Sequence, residues 1–389
     1  MSLEWVEIGE LQAKKNGSID PSKFLDETFE LHSIPSHDKG NAEILTGREI
    51  GSSKQIVQEN DVMISKIVPH IRRAMVVPKK GNFRQIASSE WIVFRSERIY
   101  PNYLKHLLIS DFFNAQFMAT VSGVGGSLLR ARPTFVSKIK IPLPPLTEQK
   151  RIAQILDKAD ELRQKRQQSI DKLNELLQAC FLKIFENEKC SMSQIKDLLE
   201  NGKSIRTGPF GSQLLHSEFV DEGIAVLGID NAVKNTFKWA KPRFITPEKY
   251  EQLKRYTVKP KDVIITIMGT CGKCAVVPDK IPLSINTKHL CCITLDFDKC
   301  NPEFLHSYFL LHPTSINFLK SRAKGAIMAG LNMSIIKDLP VELPSIEIQN
   351  EFAELKTKIG LQKSKLINQL QEQDNLFQSL QQRAFNGEL

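Results

Sequence analysis

The side chains with the plainest chemical purpose in this chain are cations set in loop-like segments. Arg72-Arg73, Lys79-Lys80, Arg84, Arg130 and Arg132 fall in the first half. Lys203, Arg206, Lys234, Lys238, Lys241, Arg243, Lys254-Arg255, Lys273, Lys288 and Lys324 fall in the second, with Trp239 and Tyr256 among them. Lysine and arginine neutralise phosphates, and arginine forks match the acceptor edges of bases, so such clusters suit a polyanion that is held and read. Taken singly, each cation is more often a solvated surface charge than a contact to such a ligand. Patterns for bond-making chemistry do not complete. Gly269-Thr-Cys-Gly272-Lys273 is too short for a phosphate loop, which needs four residues between its glycines. Cys271-x-x-Cys274 precedes the adjacent pair Cys291-Cys292, which lacks knuckle spacing and lies in an apolar run, so buried thiols are expected and no metal site. His32, His37, His289, His306 and His312 are scattered without a nucleophile or carboxylate signature. No catalytic residue is assigned.

These cations need elements to carry them, and charge shows where those are. Residues 1–146 hold 19 basic and 15 acidic side chains, and residues 188–346 hold 21 and 16. Between and after them, residues 147–187 hold 8 and 7, and residues 347–389 hold 5 and 6. The positive excess therefore belongs to two large segments, which fits a polyanion partner without proving one. Seven cysteines, an odd number, argue against a disulfide framework and for a reducing compartment. The acidic start MSLEWVEIGE has no secretory pattern, and no apolar run approaches a membrane span.

The chain also repeats itself. IPLPPLTEQKRIAQIL at Ile141 to Leu156 returns as VELPSIEIQNEFAELK at Val341 to Lys356, keeping Leu143/Leu343, Pro144/Pro344 and Gln149/Gln349 in register. VVP at Val76 to Pro78 returns at Val276 to Pro278. DVMI at Asp61 returns as DVII at Asp262, and YPNYL at Tyr100 as NPEFL at Asn301, each one residue out of step. A period this long marks a duplicated domain with its connecting helix, not a solenoid.

Thr147 to about Asn187 contains no Gly or Pro, and Ile152, Ile155, Ala159, Leu162, Ile170, Leu173, Leu177, Cys180 and Ile184 recur three or four apart. That is an amphipathic helix with Thr147 as its expected N-cap. The second copy uses Phe352, Leu355, Ile359, Leu366, Leu370, Phe377, Leu380 and Ala384, and stops at Asn386-Gly387. Helices of about 40 residues, roughly 60 Å long, need a partner, and each offers the other a matching stripe. The segments before them read as mixed α/β. Strands are expected near Asp61 to Val68, Glu90 to Phe94, Asp262 to Met268 and Leu290 to Leu295, with one helix each over Pro101 to Phe117 and Pro302 to Phe318.

The string from Ile141 to Phe181 and the whole plan resemble specificity (S) subunits of type I restriction-modification systems. TGPFGSQL at Thr207 to Leu214 looks like the opening of many of their target recognition domains. The resemblance implies an α/β (α+β) chain: recognition domains at 1–146 and 188–346, and helices at 147–187 and 347–389 forming an antiparallel intramolecular coiled coil with pseudo-two-fold symmetry. It implies double-stranded DNA as ligand, read as a bipartite target with a fixed gap, and docking of two modification (M) subunits and of restriction (R) subunits. S-adenosylmethionine, ATP and Mg would be bound by those partners, and no cofactor by this chain. The setting would be a bacterial or archaeal cytoplasm, at the nucleoid, with no membrane. Candidate DNA contacts are Arg72, Arg73, Arg84, Arg130, Arg132, Arg206, Thr207, Ser212, Lys234, Lys238, Trp239, Lys241, Arg243, Lys273, Lys288 and Lys324. Candidate docking residues are Pro144, Pro145, Glu148, Gln149, Pro344 and Gln349; the second copy reads LPSIEIQ, so one Pro and the Glu are changed. NPEF at Asn301 to Phe304 is similar to the NPPF of adenine methyltransferases, but Pro302 in a first helical turn explains it and no FxGxG cofactor loop exists. The alternative reading is a duplicated coiled-coil adaptor that binds proteins and no longer reads DNA.

Overall fold

A computed structural model describes residues 4–13, 17–123, 129–202, 204–239, 242–323 and 330–389. The chain divides into two compact units, Met1–Gln168 with Ile367–Leu389, and Ser169–Leu366.

In the first unit a five-stranded sheet runs in the order Ser18–Ile19, Lys54–Ile56, Arg84–Ala87, Thr28–His32, Glu43–Thr46. Only Thr28–His32 and Arg84–Ala87 are parallel. Beside it an antiparallel sheet has Val62–Ser65 between Ala74–Val76 and Trp91–Phe94. The second unit repeats the plan. Ile224–Leu227 pairs parallel with Ser284–Asn286 and antiparallel with Phe244–Ile245. A four-stranded antiparallel sheet follows the order Ile205–Thr207, Leu290–Ile293, Val263–Thr266, Cys274–Val276.

The repeated DV pair proves architectural in both units. Asp61 and Asp262 are buried, and each accepts the backbone N–H three residues upstream, from Gln58 at 2.9 Å and Lys259 at 2.7 Å. The turn between puts Asn60 and Lys261 at φ +69° and +65°, left-handed conformations that the capped turn holds in place. Each carboxylate then binds an arginine, Arg95 by two bonds of 2.6 Å and Arg206 at 2.6 Å. Burial of such a charge requires this pairing.

The helix expected over Pro101 to Phe117 is two helices, Pro101–Ile109 and Asp111–Ala119. Ser110 is extended, and its hydroxyl accepts the Phe113 N–H at 3.3 Å, so it caps the second helix. The counterpart also breaks, into Pro302–Leu311 and Pro313–Ala323, because His312 precedes a proline and is pushed out of the helical region. Asn301 caps it, its side chain accepting from Glu303 and Phe304 N–H groups.

The long helices are Leu146–Asn187 and Ile346–Asn386. The first starts one residue before Thr147, which lies inside the first turn; the Pro145 carbonyl accepts from Glu148 and Gln149. Within the first unit they run antiparallel, with Arg151 on the Leu389 carbonyl, Arg163 on Asp374 at 2.6 Å and Arg166 on Gln369 at 2.7 Å. Within the second, Lys363 donates to Asn174 at 2.7 Å. Each unit's main core takes side chains from both helices: Ile152, Ala153, Leu156, Phe377, Ala384 and Phe385 in one, Phe181 and Phe352 in the other. Of the expected stripe, Ile152 and Ile170 are buried but Leu162 is 45% exposed.

Candidate nucleic-acid interface

The second unit's strand register brings four loops to one end. The carboxyl ends of Ile205–Thr207, Ile224–Leu227, Val263–Thr266 and Ser284–Asn286 lie with the amino ends of Cys274–Val276 and Leu290–Ile293. Hydrogen bonds stitch the loops: Thr287 N–H to the Leu227 carbonyl at 2.9 Å, Ile267 N–H to the His289 carbonyl at 2.9 Å, and Cys274 N–H to Asn235 Oδ1 at 3.2 Å. Thr207 closes its strand there, and Ser212, Lys234, Lys238, Trp239, Arg243, Lys273 and Lys288 follow those strand ends or precede their neighbours. Lys234, Lys238, Ser212 and Trp239 are exposed; Thr207, Arg243, Lys273 and Lys288 are half-buried. Arg243 is paired with Asp230. Lys241 and Lys324 lie outside the described residues, as does Lys203.

Two glycines of TGPFG explain that segment. A Cβ on Gly208 would lie 2.1 Å from the Asn286 carbonyl oxygen, so the loop can close against the next strand only with glycine there; Gly211 takes φ +57°. The buried Asn286 Oδ1 and the Thr287 Oγ1 have no partner among the described residues. Sequence did not mark them as candidates, because an unpaired polar atom leaves no trace in residue type or spacing. Phe210, 51% exposed within TGPFG, and His289 lie at the same end and join the candidates on that placement. Arg206 does not reach this end. Its guanidinium turns inward to Asp262, the Thr257 carbonyl and Thr294, and its side chain is 13% exposed.

The corresponding end of the first unit gathers the loops after His32, Ser65 and Ala87; Trp91 Nε1 donates to the His32 carbonyl at 3.0 Å. Its cations are held by acids. Arg72 pairs with Asp111 at 2.5 Å, Arg73 forms a two-pronged bond to Asp38 at 2.6 and 2.8 Å, and Arg130 meets Glu90 at 3.3 Å. The Arg73 guanidinium holds Asp38 below the usual carboxylate range. Val68 sits here at φ +47°, a strained conformation for a β-branched residue. Arg84 opens its strand opposite Phe29, at the other end of the sheet, and Arg132 stacks over Phe135 while donating to the Thr120 carbonyl.

The glutamines assigned to docking are clamps. Gln149, 1% exposed, donates through Nε2 to the carbonyls of Arg98 and Pro144 at 2.9 and 2.8 Å and accepts the Tyr100 N–H at 2.8 Å. Gln349, also 1% exposed, repeats this on Lys299, Pro344 and Asn301 at 3.3, 3.0 and 2.9 Å. Pro144 and Pro344 are buried with them, which leaves Pro145 and Glu148 reachable; Arg151 beside Glu148 lowers that carboxyl's pKa. Cys274, Cys291 and Cys292 are fully buried, and desolvation pushes the Cys291 thiol up to about 12. Among the described residues no His, Cys, Asp or Glu group is placed to hold a metal, and no helix is long and apolar enough to cross a membrane.

Comparison with known proteins decides the lineage. Residues 3–175 and 187–373 match the family described as Type I restriction modification DNA specificity domain. The chain belongs to this family. Its two matched regions repeat one domain, as the sequence repeat requires. The MjaVIII specificity subunit of Methanocaldococcus jannaschii is 25% identical over 230 residues, and the EcoBI specificity subunit of Escherichia coli is 26% identical over 277. Those stretches are 56% and 64% of this chain, yet 54% and 58% of the relatives, so the match spans little more than half of each. A chain solved in work on complex assembly and conformational transition of the type I R-M system has TM-score 0.59 and 19% identity, covering 100% of this chain and 98% of that one. An S subunit from M. genitalium gives 0.58 at 13%, covering 99% and 96%. At such identities these two establish a shared fold.

Proposed function

We propose that this chain is the non-catalytic, sequence-reading subunit of a type I restriction-modification complex. Each unit presents the loop end of its sheets to one half of a split double-stranded DNA target. The exposed start of each long helix, Pro145 and Glu148 in the first copy, docks one of two M subunits, and R subunits join the same assembly. S-adenosylmethionine, ATP and Mg act in those partners: N6-adenine methylation in M, ATP-driven cleavage in R. The observation that carries this reading is the convergence of Lys234, Lys238, Arg243, Lys273 and Lys288 on one sheet end, in a chain of the specificity-domain family. Lysines on phosphates supply affinity and register while the loops between them meet base edges.

The test is to map methylated adenines in a host genome with and without this gene, and to measure DNA binding by the complex with M across salt concentrations. One bipartite motif should lose methylation with the gene, and binding should weaken steeply with salt. If the chain assembles with M but shifts neither methylation nor sequence-selective binding, the protein-binding adaptor is the right description.

A further inference from the structure

Trp239 is 54% exposed at the cationic end of the second unit. An indole is among the largest apolar side chains, and leaving it in water forgoes its burial. Its loop is nonetheless braced. The Lys238 N–H donates to the Asn231 carbonyl at 3.1 Å, and its carbonyl accepts from Asn231 Nδ2 at 2.9 Å. Asn231 is itself buried and its Oδ1 accepts the Gly228 N–H at 2.8 Å. Phe237 packs on the core around Val258 and Val277 and meets the indole edge-on, with ring centroids 5.3 Å apart at 90°. The side chain is thus held outward by an ordered support.

Its surroundings select the ligand. Lys234 and Lys238 share its loop, and the Cys274–Asn235 bond brings the Lys273 loop alongside. Lysine is depleted in protein–protein interface cores, whereas an aromatic face among cations is how proteins hold nucleic-acid bases. We propose that Trp239 stacks on the bases of the half-site read by the second unit, opening one base step as an apolar wedge. This rests on the DNA-reading function proposed above and adds a contact independent of hydrogen-bond readout.

The experiment uses the complex assembled with M and duplexes carrying 2-aminopurine at successive positions of that half-site. Wild type should brighten the probe at one step apart from the methylated adenine, which M itself turns out of the stack, and Trp239→Ala should abolish that signal. Trp239→Ala should also weaken specific binding by about 10- to 100-fold while leaving the slope of log K against log salt unchanged, since no phosphate contact is lost. Trp239→Phe should retain most of both signals, and Lys234→Gln with Lys238→Gln should instead flatten the slope. The unfolding midpoint of each variant shows whether folding is intact. The proposal is overturned if Trp239→Ala binds and brightens the probe as wild type does, or if it loses M instead of DNA, which would make the indole a protein contact. If wild type itself shows no sequence-selective binding, the DNA-reading function fails and this contact with it.

Discussion

At the start of each long helix a buried glutamine holds three backbone groups, two carbonyls and one N–H. Replacing Gln149 with Leu strands all three, and each buried unsatisfied group costs about 1–3 kcal/mol. We expect Gln149→Leu to cost about 3 kcal/mol or more in urea unfolding. Glu148→Gln, which breaks an exposed ion pair, should cost under about 1 kcal/mol. The glutamine was legible as a repeated residue, but its direction was not. Spacing gives which face a residue occupies only after the chain's path is known, and the same gap hid Arg206, whose cation turns to Asp262. His306 offers a pH test. Its Nε2–H is shared by the Asn235 and Cys274 carbonyls at 3.0 and 3.1 Å, and its Nδ1 accepts from the Lys356 ammonium at 2.8 Å, which pairs with Glu303 at 2.7 Å. Burial, then the Lys356 charge, brings His306 down to about 4 from its ordinary 6.5. A base whose pKa is lowered on folding contributes stability that is complete above the ordinary value and lost as the pH falls. The urea midpoint should therefore drop from about pH 6.5 towards 4, and His306→Gln should flatten that decline; an unchanged decline would assign it to other groups.

Among elements, the long helices were legible to within a residue or so because nothing in Thr147–Asn187 interrupts a helical period. Which positions carry the load was not. Phe181 was absent from the expected stripe, yet it is fully buried against Phe185, Phe304 and Phe352, with ring centroids 5.2, 5.6 and 5.1 Å away. Leu162 was in the stripe and is largely exposed. Periodicity locates an apolar face, whereas burial depends on what the rest of the fold lays against it. Phe181→Ala should cost about 3–5 kcal/mol and Leu162→Ala less than about 1 kcal/mol, compared by denaturant unfolding of the full chain. Equal costs would mean that the helices draw their stability from each other, not from the domain cores. The broken helices after Tyr100 and Asn301 make the same point: a continuous apolar run concealed the Ser110 cap, although Pro313 was in plain view.

For the whole molecule, the duplication was legible at an offset of 200, while the gathering of loops at one sheet end needed the strand register. If the units read separately, exchanging residues 188–346 for another family member's segment should change one half of the methylated motif and leave the other intact. Genome-wide methylation mapping decides this, and a change in both halves or in neither would end the modular reading. The division of the chain also bears on its synthesis. The second unit is one continuous stretch, whereas the first needs residues 367–389: Phe385 meets Tyr103, Phe377 meets His106, and Gln381 donates to the His106 carbonyl. A ribosome adding about 5–20 residues per second takes roughly 10 to 40 s to travel from Gln168 to Leu389. Throughout that interval the first unit waits with part of its core uncovered, while the unit encoded later completes itself. A released chain ending at residue 366 should therefore be cut by protease within residues 1–168 and resist over 169–366, and a frameshift within the codons for residues 367–389 would unmake the domain that precedes them by some 200 positions.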